Sequence, residues 1–439
     1  MNTFQKDVLK IAIPVALQSM LQSSFSMVDQ IMVGQLGENS IAAVEIAGKP
    51  SFIYAFVIGA IGAIAGIMIS QYIGKDDREA EEKSICVNSV FMLMVALVFF
   101  AMAVLFSAPF VRLFSSDVNV IEEGSNYLRI IGWAFLPLGI SNICGVAIRC
   151  RGKSSWPLYV GVISAVLNTA LNYCLIFGNF GMPKLGVAGA AYASIISQII
   201  GAVLILFLFF KMYGRIHFSL DLGKDGYVQY FAMLLPVVVN EFLWSVGQSI
   251  NTFVYGHMGT DELAGMALTG SVQGLTIGAL SGLSQAAGIL IGKRLGEEKY
   301  DRAYEESKKL CLYGFIGTLV FSVLLIILRY PYVRIYQVTD DVRVIGAQIL
   351  LAFAVLMPVK VQNMILGGGI IRSGGRTKYI MMIDMLGTWL VGVPLAIVAG
   401  LVWKLPIVWV YFILSQEEVV RFIISIFMFR SKKWMNTIE

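Results

Sequence analysis

IPVALQSMLQSSFSMVDQIMVGQLGENSIAA, from Ile13 to Ala43, aligns without a gap with LPVVVNEFLWSVGQSINTFVYGHMGTDELAG, from Leu235 to Gly265. Pro14 answers Pro236, an offset of 222 residues. The same offset pairs Gly34 with Gly256, Gly37 with Gly259, Gly48 with Gly270, Gly66 with Gly288 and Gly74 with Gly296. Farther on, Pro137 and Asn142 answer Pro358 and Asn363 at offset 221, and Arg149 and Gly152 answer Arg372 and Gly375 at offset 223. One offset held over about sixty residues marks an internal duplication.

The duplicated unit reads as a bundle of membrane helices. Only 14% of the chain is charged and 57% is hydrophobic, against about 25% charged in soluble domains. Its mean hydropathy is +0.77. Apolar runs of roughly 20 residues, enough to span a bilayer, recur along almost the whole length. They predict helices at 8–32, 48–73, 85–107, 126–149, 156–177, 187–211, 228–254, 263–292, 309–329, 344–371, 377–402 and 405–429. The fold class expected is therefore all-α integral membrane, with twelve transmembrane helices in two pseudo-symmetric six-helix lobes. These are 1–211 and 228–439, joined by a cytoplasmic linker at 212–227. The longest polar connections fall near 74–84, 108–125, 212–227, 293–308 and 330–343. An even number of helices per copy makes the two copies enter the membrane in the same direction. That is a parallel repeat, the kind that places a transport site near the interface of its halves.

Twelve spans put both termini on one face. Loops on that face hold roughly 23 of the 33 Lys and Arg residues, so the positive-inside rule makes it cytoplasmic. Arg149, Arg151 and Lys153 form one basic cluster there, and Arg372, Arg376 and Lys378 form its counterpart. The net charge of +5 reflects this topology and does not point to nucleic acid. The first apolar run lacks a small-residue cleavage site and is expected to stay as a helix. Five scattered cysteines without a CxxC pair suggest neither a disulfide framework nor a thiolate metal site. His217 and His257 are expected in loops, which disfavours a histidine metal site.

Ionisable groups inside a membrane are expensive and tend to be functional. Asp29 lies fifteen residues beyond Pro14, in the outer half of the bilayer. Asn168 and Asn172 are one turn apart in the fifth helix and share a face. Ser194 lies about two turns into the sixth helix, at similar depth. A carboxylate, two amide oxygens and a hydroxyl are hard donors that could hold Na⁺, or H⁺ if the carboxylate protonates. In the second half Asn251 answers Asp29, and Glu241 answers Ser19. Glu241, with Lys360 or Asp384, is a candidate for substrate or proton handling. Glu417 stands four residues before Arg421, so these two are expected to pair structurally. Pro14, Pro236, Pro137, Pro358 and Pro394 can kink helices and expose backbone to a cavity.

Several of these residues sit in motifs. The chain resembles the multidrug and toxic compound extrusion (MATE) family of the flippase-containing superfamily. The motifs are Pro14 and Gln18, then VDQIMVGQLG (Val28–Gly37) followed by Ile41, Ala42 and Ala43. Arg151-Gly152-Lys153, the LN repeat at Asn168 and Asn172, and GVAGAAYAS (Gly186–Ser194) complete the pattern. The resemblance covers essentially the whole chain. It implies export of bulky, often cationic and amphipathic compounds, driven by inward Na⁺ or H⁺, with no other cofactor. Asp29 matches the family's N-lobe carboxylate, and Asn168, Asn172 and Ser194 match residues grouped with it. Some members carry an acid where this chain has Asn172, which leaves one carboxylate here. Gln18 is grouped with Glu241, Lys360 and Asp384 as a substrate- or proton-handling residue. Glu241 falls near, but not at, the C-lobe glutamate position of some branches. The expected partners are small organic substrates and membrane lipid, and the expected state is a monomer in the cell membrane.

The alternative reading is a lipid-linked oligosaccharide flippase of the same superfamily, which twelve helices and few intramembrane cations disfavour. An integral-membrane enzyme finds no nucleophile motif or metal-ligand cluster. GGGIIRSGG (Gly367–Gly375) is glycine-rich but joins two membrane helices, where a nucleotide cradle is implausible.

Overall fold

The spans largely cover the predicted apolar runs, but several start earlier, by ten residues at the second (Glu38 against 48) and by seven at the third (Arg78 against 85). A computed structural model of the chain describes residues 3–336 and 338–438. Gln337, inside the expected connection 330–343, lies outside the described residues. The first six spans are α1 (Thr3–Gly34), α2 (Glu38–Lys75), α3 (Arg78–Leu105), α4 (Val118–Cys150), α5 (Ser155–Phe177) and α6 (Val187–Tyr213). The next five are α7 (Gly223–Met258), α8 (Thr260–Gly296), α9 (Tyr300–Val333), α10 (Asp340–Ile371) and α11 (Thr377–Val402). These eleven are each long and apolar enough to cross a bilayer. The twelfth, α12, is made of Ile407–Leu414 and Gln416–Arg430, broken at Ser415. Among the described residues there is no strand. The protein is thus a multi-pass, all-α membrane protein of twelve spans in two lobes.

Polar residues set the helix ends. The Asp77 side chain accepts from Ala80 N (2.9 Å) at the start of α3, and Asp117 accepts from Asn119 N (2.8 Å) at the start of α4. Each satisfies a backbone donor that has no partner within the helix. Several expected connections are shorter than predicted because capped helices run on into the polar segments. A short helix, Ser107–Arg112, fills part of 108–125. Of the expected linker 212–227, only 214–222 is non-helical. His257 is not in a loop: it lies in the last turn of α7, its Nδ1 2.9 Å from Phe253 O.

Of the prolines expected to kink helices, Pro14 and Pro236 lie inside uninterrupted α-helices, whereas Pro358 and Pro394 adjoin widened turns. Pro358 is followed by a π-helical segment at Met364–Ile371, and Pro394 sits between two more at Leu386–Gly392 and Val398–Val402. Proline removes a donor and crowds the carbonyl four residues back, which favours widened turns. Gly37 and Gly259, paired by the repeat, both precede helices at positive φ (117° and 159°), which only glycine adopts cheaply.

The contacts divide the chain into two compact units. One is Leu17–Gly223, and the other joins Met1–Ala16 to Lys224–Glu439. The first sixteen residues therefore do not belong to the expected lobe 1–211. Val8, Ile11 and Val15 are buried, Gln5 donates to Tyr313 Oη at 3.2 Å, and the bare backbone of Gly282 in α8 leaves room for Ala12. Within the N-terminal unit α2 packs on α3 and α4, and α6 packs on α4 and α5. Within the C-terminal unit α8, α9 and α10 pack together, and α12 packs on α10 and α11.

Buried acids at the helix ends are matched to cations. Glu81 accepts from Arg151 Nε (3.0 Å) and from Tyr213 Oη (2.7 Å). Glu306 accepts from Arg294 Nε (2.8 Å) and Arg302 Nε (2.9 Å). The expected cluster of Arg149, Arg151 and Lys153 is therefore divided. Arg151 is taken by Glu81, whereas Arg149 lines a cavity.

Candidate cation and substrate site

α1 turns a polar stripe toward the interior of the N-terminal unit. Gln18, Gln22, Ser26 and Asp29 are spaced four, four and three residues apart, which places them on one helix face. They line a cavity of about 420 Å³ whose other walls come from α2, α4, α5 and α6. α5 contributes Ser164 and Asn168, and α6 contributes Ser194, Ser197 and Gln198.

Asp29 is the single carboxylate on this wall. Asn172 Nδ2 donates to Asp29 Oδ1 at 2.6 Å and lies 3.3 Å from Asn168 Oδ1. The Asn168 amide can face the site either way. In one orientation Nδ2 donates to Ser194 Oγ at 3.2 Å. In the other Nδ2 donates to Asp29 Oδ1 at 2.9 Å, while Oδ1 accepts from Ser194 at 3.2 Å. Asn168 and Asn172 are buried, and Asn172 Oδ1 has no hydrogen-bond donor. The four residues expected to act together are thus within hydrogen-bond reach of one another.

GVAGAAYAS brings Ser194 to this position. At Gly189 a Cβ would stand 2.5 Å from Leu175 O, so any side chain there would push α6 off α5. Leu185 N also donates to Leu175 O at 2.8 Å, fixing the turn that begins α6. Immediately beyond the polar residues lies an apolar layer of Val33, Ile176 and Ala190, packed with Met32, Leu36, Val44, Tyr127 and Phe177. Val33 is four residues after Asp29, Ile176 four after Asn172, and Ala190 four before Ser194. One helical turn separates the two layers on each of three helices, so the carboxylate faces the cavity on one side and a dry plug on the other.

In the C-terminal unit the charged residues pair differently from expectation. Arg421 binds Asp384, with Nε 2.9 Å from Oδ1, and lies 3.4 Å from Glu418 rather than pairing with Glu417. Asn240 donates to the other Asp384 oxygen at 2.7 Å. Lys360 is 3.4 Å from Glu418, which also accepts from Asn363 at 2.8 Å. The reason lies in α11: Gly387 leaves room for the Arg421 stem, and Gly392 leaves room for the Glu417 carboxylate. Glu241 is ion-paired with neither Lys360 nor Asp384 among the described residues. Arg372 attracts its charge and Asp384 repels it.

Sequence reasoning missed Arg149, Asn142, Gln22 and Gln198 as cavity residues. The α1 stripe was legible in its spacing. Asn142, whose Oδ1 is buried without a donor among the described residues, shows itself in the sequence only as the counterpart of Asn363 in the repeat. Among the described residues no group of three His, Cys, Asp or Glu side chains could hold a metal. A monovalent cation on Asp29 and the orphan Asn172 oxygen needs no such cluster.

The comparisons agree with this architecture. The uncharacterized transporter YisQ of Bacillus subtilis is 26% identical over 438 residues, covering 96% of this chain and 93% of its own. The probable multidrug resistance protein NorM of Thermotoga maritima is 23% identical, covering 98% and 93%. A crystal structure described as MATE in the straight conformation superposes with a TM-score of 0.88 at 17% identity, covering 98% of this chain and 96% of that one. The MatE family profile matches twice, at residues 14–174 and 236–398, and its two starting points differ by the repeat's own 222 residues. The chain belongs to the MatE family.

Proposed function

We propose that this protein is a secondary active exporter of bulky, often cationic organic compounds, working by antiport with Na⁺ or H⁺. It would act in the cell membrane with both termini cytoplasmic, a placement that the Lys and Arg distribution supports. The observation that carries the reading is the placement of Asp29. It is the one carboxylate on a cavity wall, held by Asn172 and faced by Asn168 and Ser194.

The site suits an ion that comes and goes. When a cation is bound, the amide oxygens of Asn168 and Asn172 and the Ser194 hydroxyl turn toward it, joining a carboxylate oxygen as hard donors. When the cation leaves, the amide nitrogens replace it as donors to Asp29. Such an exchange keeps a buried carboxylate satisfied in both states, which the low dielectric of a membrane protein demands. The same cavity takes the organic substrate, so cation and substrate alternate on one wall. The relatives' names as multidrug resistance proteins support this substrate class. Glu241, Lys360 and Asp384 are assigned to substrate or proton handling in the C-terminal unit. Gln18, on the cavity wall, is assigned to the substrate.

Asp29→Asn removes the charge and keeps the shape. It should abolish drug resistance in a sensitised host while the protein still reaches the membrane. Full resistance from that mutant would refute the assignment.

A further inference from the structure

Arg149 lies in the last turn of the helical segment that ends at Cys150, and its guanidinium lines the N-terminal cavity. Its direction is unusual for a charge near a span's end. Long cationic side chains normally reach out to the interface. Here Nη1 would stand 3.6 Å from a Cβ at Gly145, one turn back along the helix. The guanidinium thus points into the span, over a residue without a side chain.

Arg151, two residues on, is paired with Glu81, and Arg149 is not paired: among the described residues no carboxylate lies within ion-pair distance of it. Where the second copy carries Glu241, the first carries Ser19, so the N-terminal copy lacks the corresponding acid. A half-buried cation without a counter-charge is costly in a membrane protein.

The cavity is therefore bipolar. Asp29, Asn168 and Ser194 line it, as do Arg149, in the last turn of its helical segment, and Pro157, in the first turn of α5. Pro157 and Asn168 are eleven residues apart on α5, about 16 Å at 1.5 Å per residue. We infer that Arg149 binds the oxyanion group of a molecule in this cavity: a carboxylate, sulfonate or phosphate. A guanidinium presents its donors in a planar fork that matches such groups. The oxyanion could belong to a transported amphoteric solute or to a lipid headgroup. The inference rests on the exporter reading for the solute but not for the binding group itself.

Two dyes test it on the purified chain in lipid nanodiscs: rhodamine B, which carries a carboxylate and a cation, and its ethyl ester, which carries only the cation. Fluorescence anisotropy gives both affinities for wild type, Arg149→Gln and Arg149→Lys. The expected result is that Arg149→Gln weakens the acid at least tenfold more than the ester, and that Arg149→Lys restores part of the difference. In wild type alone, benzenesulfonate should displace the acid more readily than the ester, a readout that survives if the glutamine variant does not fold. Raising the phosphatidylglycerol content should compete with the acid in wild type if lipid headgroups occupy Arg149, and should leave it unchanged if solute does. An acid-to-ester ratio that is the same in wild type and Arg149→Gln, with no competition by benzenesulfonate, overturns the anion site alone. A wild type that binds neither dye overturns this site and the exporter reading together.

Discussion

Asn172 contributes two unlike atoms to one place. Its Nδ2 holds Asp29 at 2.6 Å, and its buried Oδ1 has no donor. In the cation-bound state Asn172 Oδ1 would be one of the ion's hard oxygen donors, whereas the Nδ2 bond belongs to the empty site. Asn172→Ala should therefore raise the cation concentration that gives half-maximal dye efflux through the lost oxygen donor, offset in part by the lost Nδ2 bond. Ser194→Ala, which removes a hydroxyl one step further from the carboxylate, should raise it less. A half-saturation unchanged in Asn172→Ala would contradict its place in the cation site. Asp29, Asn168, Asn172 and Ser194 were legible as residues, because polar side chains stand out in apolar helices, and as a group, because they fall at similar depth. Which atom meets which was not legible, since it depends on the close approach of α5 and α6 that Gly189 permits.

The helices carry two features that can be tested separately. Ile176 is fully buried in the apolar layer one turn beyond the site. Ile176→Ala should lower stability by about 2–4 kcal/mol through the cavity it leaves, read as a fall in Tm in detergent. In the C-terminal unit Arg421 serves Asp384 and Glu418 together. Arg421→Gln leaves Asp384 without its cation, while Glu418 keeps Lys360, and should cost about 3–5 kcal/mol. Adding Asp384→Asn should restore part of that loss, because residues in one network couple. Two strictly additive losses would show that the pair does not interact. Helix periodicity could propose Glu417 as the partner of Arg421, four residues away. It could not reveal Asp384, 37 residues away on a different helix and admitted by glycines in the π-helical part of α11.

On the scale of the molecule the duplication gave the spans, their number and the pairing of glycines and prolines. It could not give the unit boundary, because α1 is one continuous helix whose residues 3–16 group with the second copy. Nor could it give the division of chemistry, which lies in the places where the copies differ. Asp29 answers Asn251, Ser19 answers Glu241, and the paired charges of α10, α11 and α12 belong to the second copy alone. The central claim is that Asp29 couples a cation gradient to export. The most direct test is dye efflux from proteoliposomes under separately imposed Na⁺ and pH gradients, with wild type and Asp29→Asn compared. One of the two gradients should drive efflux by wild type without ATP, and Asp29→Asn should lose that response while remaining folded. Gradient-driven efflux that survives in Asp29→Asn, or efflux that requires ATP hydrolysis, would contradict the account.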